Sequence, residues 1–72
     1  MKHDSNITLL INGEPFICDT KFSLSELVNY LDFDINNIVI ELNSDIISSE
    51  HFMTTFIQSG DIIEIITIVG GG

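Results

Sequence analysis

The residues with the clearest chemical potential are the last three of the chain, Gly70, Gly71 and Gly72, which follow a strand-like run. Glycine costs conformational entropy and adds no side chain to a core, so it needs another reason to be there. A bare segment suits a terminal carboxylate that must enter a narrow site on another protein. We therefore predict that Gly72 is modified, that Gly70 and Gly71 thread into partner sites, and that residues 69–72 form a flexible tail on one domain spanning 1–72.

The other residues that could support chemistry are few and scattered. Cys18 is the only cysteine and lacks a Cys-x-x-Cys partner, so we expect it to act as a small apolar residue on an edge strand. His3 and His51 lack ligand spacing and are expected at the surface. Asp32 and Asp34 do not fit a calcium-loop pattern, and we expect them to be solvated. The sequence thus predicts no metal site, no bound cofactor and no enzymatic activity of its own.

The composition and net charge exclude some classes of partner and favour others. The 72 residues are 44% hydrophobic and carry a net charge of −9, with Lys2 and Lys21 as the basic residues. Such a surface repels phosphate backbones, so we expect no nucleic-acid partner, whereas a partner with a basic face would be attracted. The sequence has neither a membrane span nor a signal peptide, which predicts a cytoplasmic protein away from membranes.

The first part of the chain reads as a β-hairpin. Residues 7–11 and 14–19 are two strand-like runs separated by Asn12 and Gly13. Asn-Gly is the strongest short hairpin signal because both residues tolerate the positive φ of a type I′ turn. Pro15 has no N–H to donate, which places the second strand at a sheet edge.

A helix is predicted next, beginning with a capping box formed by Ser23 and Glu26. Residues at i, i+3, i+4 and i+7 give it one apolar stripe over about ten residues. That stripe consists of Leu24, Leu27, Val28 and Leu31. Residues 32–37 are predicted to form a connecting loop.

The rest of the chain contains three further strands, at residues 37–42, 45–47 and 62–68. Between the last two, Ser48 or Ser49 is placed to cap a short helical turn. The apolar residues of that segment are expected in the core; they are Phe52, Met53, Phe56 and Ile57. The order β-β-α-β-β-β predicts an α+β protein of the β-grasp class, as in ubiquitin. Its mixed sheet has about five strands, with one main helix and a short second helical turn.

The last strand has two different faces, because side chains alternate along a strand. One set is expected to face the helix and comprises Ile63, Ile65 and Thr67. The other set contains Glu64, which will rarely be buried unpaired, so it should face outward. This predicted partner-binding face comprises Ile62, Glu64, Ile66 and Ile68.

From about Ile7 to Gly72, the chain resembles the ThiS family, the sulfur-carrier proteins of thiazole synthesis in thiamin biosynthesis. The segments that carry the resemblance are Ile-Val-Ile-Glu-Leu-Asn at 38–43, Gly-Asp-Ile-Ile-Glu-Ile at 60–65 and Val-Gly-Gly-Gly at 69–72. Members commonly have a Pro-Arg pair where this chain has Ser48 and Ser49, which puts the details of docking in question.

The resemblance implies a function for the tail. An E1-like adenylyltransferase (ThiF-like) would use ATP to adenylate Gly72, and sulfur from a cysteine desulfurase would convert it to a thiocarboxylate. Thiazole synthase (ThiG-like) would then take the sulfur. The chain itself would be a carrier and co-substrate.

Two alternatives share the tail or the fold. One is the small subunit of molybdopterin synthase, which usually has a Pro-Pro pair where this chain has residues 66–68. The other is a ubiquitin-like modifier or an interaction module that uses the face around Ile66.

Overall fold

A computed structural model describes residues 6–68 of the chain. Its five strands and one α-helix are β1 (Ile7–Ile11), β2 (Glu14–Cys18), α1 (Leu24–Tyr30), β3 (Ile38–Leu42), β4 (Asp45–Ile47) and β5 (Ile62–Thr67). Two short 3₁₀ turns, at Ile35–Asn37 and Ser49–His51, precede β3 and follow β4. The predicted tail, residues 69–72, lies outside the described residues, as does His3.

The strands form one mixed sheet in the order β2-β1-β5-β3-β4. The central pair, β1 and β5, is parallel, with Leu10 opposite Ile62 and Ile11 opposite Ile63. The remaining pairs are antiparallel. The predicted β-grasp fold is confirmed, and Pro15 lies on the edge strand β2, where a missing N–H costs least.

The turn between β1 and β2 has the predicted chemistry. Asn12 and Gly13 have φ values of 53° and 83°, the positive values that a type I′ turn requires. The two strands then pair from Ile11 with Glu14 outward to Ile7 with Cys18. Local residue choice therefore fixes the register of this hairpin.

The helix begins at the predicted capping box. The Glu26 backbone N–H donates to Ser23 Oγ at 3.1 Å, and the Ser23 N–H donates to Glu26 Oε1 at 2.9 Å. Three residues of the stripe, Leu24, Leu27 and Val28, are almost completely buried. The helix has seven residues and is shorter than predicted.

Asp32 explains why the helix stops early. Its φ is +66°, the left-handed conformation that commonly follows the last helical residues. The Asp32 N–H donates to the Asn29 carbonyl at 3.1 Å, and the Phe33 N–H donates to the Val28 carbonyl at 3.0 Å. These two bonds satisfy helix-end carbonyls in the pattern of a Schellman motif.

The segment before β3 differs from the predicted loop. Residues Ile35–Asn37 form a 3₁₀ turn, and Asp34 occupies its N-cap position. Asp34 accepts hydrogen bonds from the Asn36 N–H at 3.0 Å and from Asn37 Nδ2 at 2.9 Å. Asp34 is exposed, as expected, but its carboxylate also stabilises the turn.

The core lies between α1 and one face of the sheet. Its buried members come from the helix, from the inner positions of the three strands β1, β3 and β5, and from the segment between β4 and β5; they are Leu9, Leu24, Leu27, Val28, Ile38, Ile40, Phe52, Ile57, Ile63 and Ile65. The α-helix has seven residues, so residues 6–68 contain no helix that could span a bilayer.

The prediction that Met53 and Phe56 are core residues is wrong. Met53 is 74% exposed and Phe56 is 47% exposed, whereas Phe52 and Ile57 are buried. The 3₁₀ turn ends at His51, so helical spacing does not apply beyond it. Instead, the backbone from 52 to 57 bonds to residues 22–25 at the start of the helix: Ser25 to Phe52, Leu24 to Thr55, and Ile57 to Phe22.

The second 3₁₀ turn lacks the predicted side-chain cap. Ser48 stands at its N-cap position, but its side chain accepts no hydrogen bond from the turn's backbone. Its hydroxyl lies 3.5 Å from Glu50 Oε2 instead.

Candidate functional site

In the sequence, the predicted tail follows soon after the final strand, β5. β5 ends at Thr67, but the Ile68 N–H still donates to the Asn37 carbonyl at 2.7 Å. The body of the protein therefore holds the chain as far as residue 68. Residues 69–72, including the predicted site residues Gly70, Gly71 and Gly72, follow beyond the described part. A segment of four residues, such as 69–72, reaches at most about 14 Å from residue 68, even when it is fully extended.

The two faces of β5 are arranged as the alternation predicts. Ile63 and Ile65 are buried against the core, whereas Ile62 and Ile66 are each 50% exposed on the opposite side. Ile68 is also 50% exposed, and Glu64 is partly buried. Thr67, expected on the helix side, is exposed near the end of the strand. Whether the outward set binds a partner stays a prediction.

The outward residues of β5 belong to a larger apolar surface, here called the open face, that spans all five strands. Leu10 on β1 lies opposite Ile62, and Val39 on β3 lies opposite Ile66. The edge strands contribute Ile17, which is 63% exposed, and Ile46, which is 70% exposed. Several exposed apolar side chains on one face of a sheet are typical of interaction sites.

Two carboxylates lie at the middle of this open face. Glu41 on β3 is the direct cross-strand partner of Glu64 on β5. Both are partly buried, and within residues 6–68 neither side chain has a hydrogen-bond or ion-pair partner. Lys21, the lysine in the described part, lies in the connection between β2 and α1. The centre of the open face is therefore negatively charged.

Sequence reasoning identified the β5 residues but missed Leu10, Ile17, Glu41 and Ile46. In β1 the run Ile-Thr-Leu-Leu-Ile shows no clear alternation, so its outward residues cannot be separated from its core residues. The alternation of β3 and β5 could have grouped their outward positions. Placing Glu41 beside Glu64 also requires the β3–β5 register, which no single strand contains.

The remaining candidates do not assemble into a reactive centre. Cys18 is partly buried against the core and its Sγ lies 3.3 Å from the Thr20 carbonyl oxygen, consistent with the expected packing role. His51 is exposed at the end of the second 3₁₀ turn. Asp32 and Asp34 line a shallow groove of about 450 Å³ beside Thr67 and the end of β5. Across residues 6–68, no three potential metal ligands lie close together.

Comparison with known proteins gives consistent matches. The model of the ThiS family matches residues 9–72. The chain is 51% identical over 69 residues to a protein named ycf40 from Porphyra purpurea, covering 96% of this chain and 97% of that protein. It is 28% identical over 64 residues to a thiazole synthase from Paramagnetospirillum magneticum, covering 89% of this chain but 20% of the synthase. Among solved structures, the thiamine biosynthesis protein ThiS of Geobacter metallireducens superimposes with a TM-score of 0.80 at 29% identity, covering 92% of this chain and 100% of that one.

Proposed function

The chain belongs to the ThiS family of sulfur carrier proteins, and from that membership we propose that Gly72 carries sulfur as a C-terminal thiocarboxylate for thiazole formation. The observation that best supports this proposal is the family match itself, because it extends through the glycines to residue 72. The similarity to ThiS of Geobacter metallireducens over 92% of the chain supports the same pathway, thiamin biosynthesis.

The chemistry requires activation because a carboxylate is a poor electrophile. A carboxylate oxygen of Gly72 attacks the α-phosphorus of ATP, and pyrophosphate leaves to give an acyl-adenylate. A persulfide sulfur then attacks the acyl carbon and forms an acyl disulfide. AMP leaves and carries away the bridging oxygen, which came from the carboxylate. A thiol cleaves the resulting acyl disulfide and releases the thiocarboxylate. The chain supplies the reacting carboxyl group, and ATP is bound by the activating partner.

Three classes of partner follow from this scheme: an E1-like adenylyltransferase (ThiF-like), a cysteine desulfurase that supplies persulfide sulfur, and a thiazole synthase (ThiG-like). The last is supported by the thiazole synthase of Paramagnetospirillum magneticum, in which a segment of about one fifth of the chain is similar to this protein. A reducing compartment such as the cytoplasm suits these thiol steps, and the single Cys18 is compatible with it.

The open face is the surface through which the carrier docks on the enzymes that receive its tail. The chain is held to the sheet through Ile68, so Gly72 cannot act farther than about 14 Å from that point. An enzyme that receives the tail must therefore contact the body of the carrier nearby. Docking through exposed residues such as Ile66 and Ile46 would hold the carboxyl group at a high local concentration.

Intact-mass spectrometry tests the proposal directly. Incubation with the adenylyltransferase, ATP, a cysteine desulfurase, cysteine and a thiol should raise the mass by about 16 Da, since sulfur replaces oxygen. Deletion of Gly72 should abolish the increase, while circular dichroism shows an unchanged fold. A deletion variant that still gains the mass would place the sulfur elsewhere. Transfer of the sulfur to thiazole synthase, but not to the large subunit of molybdopterin synthase, would identify the pathway.

A further inference from the structure

We propose that the open face docks a surface of the adenylyltransferase that inserts one basic side chain between Glu41 and Glu64 and surrounds it with apolar side chains. This inference rests on the proposed function and adds the chemistry of recognition to it. Its starting point is the cross-strand pair of carboxylates at the middle of the face.

The pair is unfavourable for the isolated fold. Glu41 and Glu64 are opposite each other in neighbouring antiparallel strands, and like charges in that position destabilise a sheet. Within residues 6–68, neither carboxylate has a hydrogen-bond or ion-pair partner that would offset the repulsion. In the described part of the chain, two negative charges without a compensating partner therefore lie side by side.

Apolar side chains surround the pair. Along β5, Glu64 lies between Ile62 and Ile66 on the same face, and both are 50% exposed. On the other side, Glu41 lies opposite Ile46 of β4, which is 70% exposed. A partner that covers these apolar residues also removes both carboxylates from water. Burying charges without a counter-charge is strongly unfavourable, so the partner has to bring a positive charge to this point.

The same argument excludes a second copy of the chain as the occupant. Two open faces in contact would bring four carboxylates together, on chains that each carry a net charge of −9. Of the basic side chains, arginine fits best, because its planar guanidinium offers five N–H donors and can bond to two carboxylates at once. The partner surface is therefore basic at its centre and apolar around it.

Calorimetric titration with the purified adenylyltransferase, at low and at physiological ionic strength, tests the inference. The variant E41Q/E64Q should bind at least about tenfold more weakly than the wild type and show a flatter salt dependence. The control E14Q/E50Q makes the same change in net charge at two exposed glutamates outside the pair, and its affinity should stay within about twofold. Thermal unfolding of E41Q/E64Q should occur at or above the wild-type temperature, because a repulsion is removed.

Equal binding by E41Q/E64Q and E14Q/E50Q would overturn the inference, as would a wild-type dimer in sedimentation that disappears when Ile66 is substituted. Sulfur loading, followed by mass in the same samples, reports separately on the proposed function. If the wild type is loaded and the Glu41–Glu64 pair has no effect on binding, the docking inference is wrong and the carrier function stands. If binding depends on the pair but the chain is never loaded, the inference stands and the carrier function is wrong.

Discussion

Asn12 and Ile65 are 53 residues apart in the sequence, yet the Asn12 side-chain oxygen accepts a hydrogen bond from the Ile65 backbone N–H at 2.7 Å. β1 and β5 pair from Leu10 with Ile62 to Ile11 with Ile63, where β1 ends. The backbone pairing of β1 with β5 therefore ends before Ile65. The side-chain oxygen of Asn12 accepts the hydrogen bond from the Ile65 N–H in place of a backbone carbonyl of β1. One residue therefore serves both the hairpin turn and the central strand.

Substitution of Asn12 separates these two roles. Asn12→Gly keeps the positive φ of the turn but removes the acceptor, leaving the partly buried Ile65 N–H unpaired at a cost of about 1–3 kcal/mol. Asn12→Asp keeps both the turn preference and an acceptor oxygen, so it should cost clearly less. Chemical denaturation of the two variants measures the difference. Equal stability of Asn12→Gly and the wild type would show that water satisfies the N–H.

The hydrogen bond between Ile65 and Asn12 could not be predicted from the sequence, whereas several local features could. The Asn12-Gly13 signal, the capping box at Ser23 and the alternation of β5 are local patterns, and each predicted its element correctly. The hydrogen bond from Ile65 to Asn12 depends on the parallel pairing of the first and last strands. Its existence becomes visible only when the register is known.

The segment from Phe52 to Ile57 shows the opposite case, in which a local pattern misleads. Its apolar spacing fits a helix, but its backbone hydrogen bonds go to residues 22–25. These long-range bonds leave Met53 exposed and bury Ile57. Tertiary interactions of this kind override local spacing, and a single sequence contains no signal for them. For the candidate site, the same limit hid Leu10 and Ile46, whose position on the open face depends on strand order.

The end of the helix offers a stabilising substitution. Asp32 has a φ of +66°, which glycine adopts without steric cost, and its negative charge is unfavourable beside a helix C-terminus. Asp32→Gly should therefore raise the free energy of unfolding by about 1 kcal/mol. Thermal or chemical unfolding of Asp32→Gly and of the wild type measures this difference in free energy.

Asp34→Gly is the matched control for that change. Asp34 is two residues away and also exposed, but its carboxylate accepts from the Asn36 N–H and Asn37 Nδ2. Its loss should destabilise the protein by about 1 kcal/mol. If both glycine variants shift stability in the same direction, the Schellman geometry at Asp32 is not the cause.

The turn between β3 and β4 provides a second test of backbone conformation. Asn43 and Ser44 both have positive φ, at 50° and 77°. Serine is poorly suited to that region, whereas Asn-Gly is the preferred pair for such a hairpin turn. Ser44→Gly should stabilise the protein by about 0.5–1 kcal/mol, measured by chemical denaturation.

Asn43 itself should not tolerate the same replacement. Its Oδ1 accepts from the Ile62 N–H at 2.9 Å, and its Nδ2 donates to Asp61 Oδ1 at 3.0 Å. Asn43→Gly removes both bonds and should destabilise the protein by about 1–2 kcal/mol. A loss of stability in Ser44→Gly would mean that the turn depends on the serine side chain.

The open face predicts which exposed apolar residues matter for binding. Ile46 and Ile66 lie on different strands of this face and are 70% and 50% exposed. Replacing either with threonine keeps a β-branched residue in the strand, so stability should change by less than about 1 kcal/mol. Each change removes apolar contact area and should weaken binding to the adenylyltransferase by about 1 kcal/mol, roughly fivefold.

Met53→Thr is the control for this effect. Met53 is 74% exposed but follows the second 3₁₀ turn and belongs to no strand of the sheet. Met53→Thr should leave binding to the adenylyltransferase unchanged, although this substitution also removes an exposed apolar side chain. The three variants thus separate a docking role of the open face from a general effect of surface hydrophobicity. Binding that falls equally in all three would contradict docking through the sheet, because the loss would then follow apolar area and not position.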